Sequence, residues 1–279
     1  MKYLIIGHKG QLGKEFCSSL NHSGHNVIGY DFDEIDVADR QKVFELVEDT
    51  KPTVIVNCSA YNLVDKAETD YFNAFKTNSL GVKNLAEAAK QFRTSLVHYS
   101  SDYVFDGTSK KLYTETDVPN PLNMYGKSKY LGELFLREEL DNHLLFRLSW
   151  VFGNGTQNFI YKFQEWAKGK SHLQISNDEI SVPTWTKTIV EMTIDALNKE
   201  LHGTYHLTNT GSCSRYDWAK LIKETLGLEV EIESVSRKIF SQPAERPANS
   251  AMSNKKLCKD LGVDIINWKE AVKSYLTMV

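Results

Sequence analysis

Cysteine is scarce in this chain: four in 279 residues, at positions 17, 58, 213 and 258. No two stand close enough for a CxxC unit, so neither a zinc ribbon nor a disulfide framework is encoded, and such sparse use fits a reducing cytoplasm. Metal ligation is not expected, since a lone acid such as Glu15 is no site. Long apolar runs are missing too. Nothing approaches the ~20 residues that span a bilayer, and the opening Met-Lys-Tyr-Leu-Ile-Ile-Gly is too short for a signal peptide. The expectation is a cytoplasmic protein without membrane contact. Basic residues form only pairs, Lys110-Lys111 and Lys255-Lys256, within a net charge of −3. Nucleic acid is thereby excluded as a partner, and any bound anion has to be gripped by a local site rather than a general field.

Hydrophobic residues make up 41% and charged residues 25%, enough apolar material for one large domain or two closely joined ones. Short apolar runs punctuate the first half: Leu4-Ile5-Ile6, Val27-Ile28, Val54-Ile55-Val56, Leu96-Val97 and Leu144-Leu145-Phe146. Runs this short and this apolar suit strands covered on both faces. Between them Leu12, Phe16 and Leu20, then Val43, Leu46 and Val47, then Leu80, Leu85, Ala88 and Ala89 carry helical spacing. Strand–helix alternation of this kind predicts an α/β fold, a doubly wound parallel Rossmann sheet over residues 1–150.

After about residue 150 the rhythm changes. Gly153-Asn154-Gly155 marks a turn, Phe159, Phe163 and Trp166 a helix, and Leu173-Gln174-Ile175 a short strand. A helix over 184–199, a strand over 203–207, a helix over 214–226 and an alternating segment over 228–233 follow. Residues 151–279 therefore read as a smaller, mainly substrate-binding cap, with some elements returning to the first domain.

Gly7, Gly10 and Gly13 follow the first strand and open the first helix. Glycine lets the backbone turn tightly and approach a pyrophosphate, and the helix N-terminus offers free N–H groups to it. Asp31, just after the second strand, can accept the hydroxyls of an adenosine ribose and repel a 2′-phosphate. Lys9, inside the glycine loop, can reach such a phosphate. The two signals oppose each other, so NADPH and NADH both stand as the cofactor.

Tyr125 and Lys129 are four apart, on one face of a helix if a helix forms there. An ammonium beside a phenol favours the tyrosinate and lowers its pKa, making Tyr125 a general acid near neutral pH. Tyr216 and Lys220 repeat the spacing but read as an ordinary amphipathic face. Tyr125 differs because the preceding strand ends in Ser100-Ser101, where catalytic groups of such sheets collect.

In this order the glycine loop, Ser101, Tyr125 and Lys129 resemble the extended short-chain dehydrogenase/reductase family. More narrowly, the stretch from Val97 to Gly107 (VHYSSDYVFDG) resembles the dTDP-4-dehydrorhamnose reductases. So do Gly10-Gln11-Leu12-Gly13, the runs from Val64 to Glu68 and Pro121 to Gly126, Arg147-Leu148-Ser149-Trp150 and Arg246-Pro247. The likeness runs over nearly the whole chain.

The resemblance implies a reductase that passes hydride to C4 of a nucleotide-linked 4-keto sugar. Tyr125 would protonate the C4 oxygen, Ser101 would hydrogen-bond it, and Lys129 would hold the nicotinamide ribose. Gln11, Leu12, Asp36, Val37, Ala60, Tyr61, Asn62, Asn78 and Tyr99 are implied cofactor contacts. Asp102, Trp150 and Arg246 are implied substrate contacts, with Arg246 as the diphosphate clamp. Three positions depart from the family's pattern: Ser101 stands where threonine is frequent, keeping the hydroxyl, Glu179 where glutamine is common and Ser181 where glycine is. Other readings remain open at this point. One is a non-catalytic regulator like the β subunit of methionine adenosyltransferase; others are a reductase of a different nucleotide sugar, or an epimerase. A dehydratase lacks support, because Asp102-Tyr103 stands where that chemistry places an Asp-Glu pair. The oligomeric state is left as monomer or homodimer.

Overall fold

The computed structural model describes residues 1–278. Its first half alternates β1 (Lys2–Ile6), α1 (Gln11–His22), β2 (Asn26–Tyr30), α2 (Arg40–Thr50) and β3 (Val54–Asn57). A long helix follows in three parts: α3 (Tyr71–Phe75), a π-helical turn (Lys76–Leu80) and α4 (Gly81–Phe92). Then come β4 (Ser95–Ser101), α5 (Met124–Glu139) and β5 (His143–Leu148). The second half contains β6 (Val151–Phe152), α6 (Phe159–Ala167), β7 (His172–Ser176), β8 (Ile180–Ser181), β9 (Thr184–Trp185) and α7 (Thr186–Asn198). It ends with β10 (Gly203–His206), β11 (Cys213–Ser214), α8 (Arg215–Leu226), β12 (Glu231–Val235), α9 (Lys255–Leu261) and α10 (Trp268–Met278).

Six strands form one parallel sheet in the order β10-β5-β4-β3-β1-β2. Side chains alternate across it, as a strand's period of two requires. Tyr3 and Ile5 face α1, α7 and α9 through Phe16, Leu20, Ile189, Val190 and Leu257. Leu4 and Ile6 face α2, α4 and α5 through Val43, Val47, Val82, Leu85 and Leu136. The strands read as continuous apolar runs because both faces are covered.

The cap has its own core around Phe152, Phe163, Trp185, Trp218 and Trp268, under three two-stranded ribbons, β12-β7, β11-β8 and β6-β9. The chain does not divide cleanly near residue 150. Strand β10 closes the large sheet beside β5, and α7 and α9 pack on its face. The alternation over 228–233 yields a strand shifted to Glu231–Val235.

Helix α5 is locked in place from two sides. Gly132 lets it press against the π-helical turn, since a Cβ there would stand 2.1 Å from the Asn78 carbonyl oxygen. The next residue, Glu133, is fully buried. It accepts from Arg147 Nε at 2.9 Å, Arg147 Nη2 at 2.7 Å and Arg137 Nη2 at 2.7 Å. The Arg147 fork ties the helix to β5.

Candidate active site

A cleft of about 720 Å³ runs along the C-terminal ends of the central strands. This is where ligands collect in open α/β sheets, because the strand order reverses there and leaves a crevice.

At one end lies the glycine loop. Gly7 has φ +82°, and a Cβ on it would meet the Ser59 amide nitrogen at 2.8 Å. Gly13 is pressed against the same turn, its would-be Cβ 2.2 Å from the Gly7 carbonyl oxygen. Gly10 N-caps α1 with no side chain to satisfy the first-turn N–H groups, which leaves them free for a phosphate. Gly7, Gly10, Gln11 and Leu12 all line the cleft.

The end of the cleft beside β2 is acidic. Asp31 accepts from the Lys9 amide and the Phe32 amide, each at 2.8 Å. Lys9 does not reach over the cleft as its sequence position suggests. Its Nζ donates to both oxygens of Asp33, at 2.7 and 2.6 Å, because the loop after β2 supplies a closer anion. Asp36 and Val37 continue the wall, with Asp36 held below the usual carboxylate range by the Lys76 ammonium at 2.6 Å. Ala60, Tyr61 and Asn62 line the cleft from the loop after β3.

At the reacting end, Tyr125 and Lys129 project from α5 into the same cleft as Ser101, Asp102, Tyr99 and Trp150. Lys129 is almost fully buried and its Nζ donates to the Tyr99 carbonyl at 2.6 Å. Burial pulls its pKa down to about 8, with Glu133 acting in the opposite direction. Tyr125 behaves contrary to the expectation of an acidified phenol. Burial pushes it up to about 12, and the Ser101 hydroxyl only partly offsets that. The reason is local: removal of the phenol from water and the nearby Asp102 charge outweigh the one hydrogen bond that favours the phenolate. A phenol that stays protonated at neutral pH is the form that can deliver a proton.

Asp102 lies beneath, 2% exposed. Its carboxylate accepts from Ser181 Oγ at 2.8 Å, Ser250 Oγ at 2.5 Å and Ser101 Oγ at 3.1 Å. Burial raises its pKa against those hydrogen bonds. Ser181, one of the departures from the family's pattern, is thus a direct partner of Asp102. Trp150 carries a left-handed backbone, φ +38°, an uncommon strain for a bulky residue that holds its indole at the cleft wall.

Three residues expected to touch ligand stand behind the wall. Gly13 packs the helix onto the turn. Asn78 accepts from the Tyr61 amide at 2.9 Å and donates to the Tyr61 carbonyl and Ser128 Oγ, each at 2.9 Å, so it fixes the 60–62 loop from below. Arg246 is bound to Asp65, as taken up below. Conversely, Phe32, Ser59, Thr77, Ser100, Gln157 and Asn158 line the cleft without having been singled out. Asn158 had a visible signal, an asparagine just before a helix. It caps α6 by accepting from the Tyr161 amide at 3.0 Å and also donates to Gln11 Oε1 at 2.7 Å. Ser100 had none beyond lying beside Ser101; its buried Oγ has no partner among the described residues.

A dinucleotide fits these residues: the Gly7 turn leaves no space for a side chain, and the free α1 amides and the orphaned Ser100 hydroxyl both offer partners. Because kcat/KM reports the free enzyme, Lys129 is expected to set its alkaline limb. The ammonium is present below its pKa and lost above, so kcat/KM for a reduction should fall as pH rises through about 8. A pH–rate profile flat from 7 to about 10 would contradict that assignment.

The family model described as RmlD substrate binding domain matches residues 1–279. The chain belongs to this family. Its RmlD-type relatives include the dTDP-4-dehydrorhamnose reductase of Burkholderia thailandensis, 37% identical over 98% of this chain and 97% of the relative. The spore coat polysaccharide biosynthesis protein SpsK of Bacillus subtilis is 34% identical over 99% of this chain and 96% of its own. Among solved structures, the dTDP-4-dehydrorhamnose reductase of Bacillus anthracis in complex with NADP superposes with a TM-score of 0.97 at 32% identity, covering 100% of both chains.

Proposed function

We propose that this protein is an NAD(P)H-dependent 4-ketoreductase that converts dTDP-4-dehydro-L-rhamnose to dTDP-L-rhamnose. The observation that carries this is the convergence of Ser101, Tyr125 and Lys129 with the Gly7–Leu12 turn in one cleft. That complete set favours catalysis over regulatory binding alone. The named relatives supply the substrate, and SpsK ties the family to polysaccharide biosynthesis. The four free cysteines suit a cytoplasmic setting.

The nicotinamide cofactor supplies the hydride when bound. The chain's own residues do the rest. Tyr125 holds the phenolic proton to be delivered to the C4 oxygen. Ser101 Oγ, which donates to Asp102 at 3.1 Å, turns its proton to the same oxygen when the substrate arrives and orients the carbonyl. Lys129 places a positive charge under the developing alkoxide and tyrosinate. Trp150 and Asp102 bound the sugar. The test is substrate-dependent loss of absorbance at 340 nm with dTDP-4-dehydro-L-rhamnose made in situ. No loss with either cofactor, from protein shown to bind one, would overturn the reading.

Cofactor choice follows from the acidic end. Asp31, Asp33 and Glu34 surround the adenosine ribose position, and Lys9 is already neutralised by Asp33. NADH should therefore have the lower KM. Asp33→Ala, which removes the closer of the two anions on Lys9 and leaves only Glu34 at 3.5 Å, should narrow the gap with NADPH by several-fold, read from steady-state KM values for the two cofactors. An unchanged KM ratio would dismiss the role given to the Lys9–Asp33 pair.

A further inference from the structure

A nucleotide-sugar substrate brings a diphosphate to the sugar end of the cleft, and some cation has to meet it. The sequence points to Arg246. The structure shows that guanidinium already committed: Nη1 and Nη2 donate to the two oxygens of Asp65 at 2.9 and 2.8 Å, and Nη1 also donates to the Ala244 carbonyl at 2.9 Å. A second guanidinium, that of Arg215, packs on the cleft-lining Trp150 and makes no hydrogen bond, although like Arg246 it stands behind the lining residues. Arg215 opens α8, directly after β11, whose Cys213 and Ser214 pair with Ser181 and Ile180. Ser181 in turn binds Asp102. Arg215 thus stands two residues beyond Cys213, the ribbon partner of the serine that binds Asp102.

Its guanidinium carbon lies 3.7 Å over the Trp150 ring, 5.1 Å from that of Phe159 and 5.6 Å from that of Trp218. Its side chain is only 21% exposed. Yet among the described residues it makes no hydrogen bond: Glu179 Oε2, 3.9 Å from Nε, is too far. Its positive charge is felt at both Asp102 and Tyr103. The α8 N-terminus offers no alternative anion site, because Ser214 and Asp217 close it with a capping box. A largely buried fork of N–H donors, set 3.7 Å over an indole with Glu179 3.9 Å away and no hydrogen bond made, offers the donor pattern a phosphate accepts.

We propose that Arg215 grips the diphosphate of the nucleotide-sugar substrate, using Trp150 as the plate that fixes its plane. This rests on the nucleotide-sugar reading above and assigns the clamp to a residue the family likeness did not indicate. Arg246, by contrast, braces the Asp65 loop.

The experiment is calorimetric titration of cofactor-loaded protein with dTDP and with thymidine. Wild type should bind dTDP more tightly than thymidine. Arg215→Gln should weaken dTDP by roughly 10- to 100-fold, the range for losing hydrogen bonds to a charged group, and leave thymidine unchanged. Arg215→Lys, which keeps the charge without the fork, should fall between. Cofactor affinity and Tm of both variants serve as the folding control. Unchanged dTDP affinity in Arg215→Gln, or equal loss for dTDP and thymidine, would overturn the assignment. Wild type that binds neither ligand would instead overturn the nucleotide-sugar reading on which the inference stands.

Discussion

Tyr125→Phe should lower kcat for the reduction by roughly 10²- to 10⁴-fold, the usual worth of a positioned general acid. Cofactor affinity should change little. The substitution removes one oxygen from a ring that stays wedged edge-on against Tyr103, with centroids 5.9 Å apart, so α5 and its neighbours have no reason to move. What disappears is the proton held at neutral pH by a phenol whose pKa burial has pushed up to about 12. Residual activity would come from Ser101 and Lys129, which still hydrogen-bond and polarise the carbonyl oxygen. Single-turnover measurements with saturating cofactor check this, with the dissociation constant of the cofactor measured in parallel. Wild-type turnover in Tyr125→Phe would remove Tyr125 from the chemistry.

The second large effect is on stability. Glu133→Ala should cost about 3–5 kcal/mol, because it strands the buried Arg147 guanidinium without its carboxylate. Arg147 is 1% exposed, and its remaining neighbours are His206 Nε2 at 3.4 Å and the face of Phe105, neither of which carries a countercharge. Urea denaturation would read the loss as a shift in midpoint at unchanged slope. A functional signature should accompany it. Glu133 raises the Lys129 pKa, so its removal lowers that pKa further and moves the alkaline limb of the pH–rate profile to lower pH. A destabilised variant whose limb stays in place would separate the structural pair from the catalytic lysine. Glu133→Gln, which keeps the shape and one acceptor, should cost less in stability and move the limb in the same direction.

The sheet was legible in advance because its strands are buried on both faces. That burial demands uninterrupted apolar runs, and Leu4–Ile6, Val54–Val56 and Leu144–Phe146 all became strands of one parallel sheet. Helix boundaries were nearly as clear where caps are local, as where Ser214 and Asp217 close the first turn of α8. The least legible part was the cap's debt to the first domain. Strand β10 carries a sequence much like any short strand, and only its pairing with β5 shows which sheet it completes.

The sequence by itself determined which chemistry the cleft could hold. The glycine turn, the hydroxyl at the end of β4 and the tyrosine–lysine pair four apart on α5 are short-range patterns, fixed by backbone sterics and helical pitch. Tertiary structure alone decided which charges remained available. Lys9 and Arg246 looked free and are bound to Asp33 and Asp65, the latter 181 positions away in the chain. Glu133 and Arg215 carried no signal in the sequence; the first is fully buried under Arg147, and the second stands over Trp150 without a hydrogen bond. The physical reason is that an ion's state depends on its nearest countercharge and its exposure to water, and both are set by segments far apart in sequence.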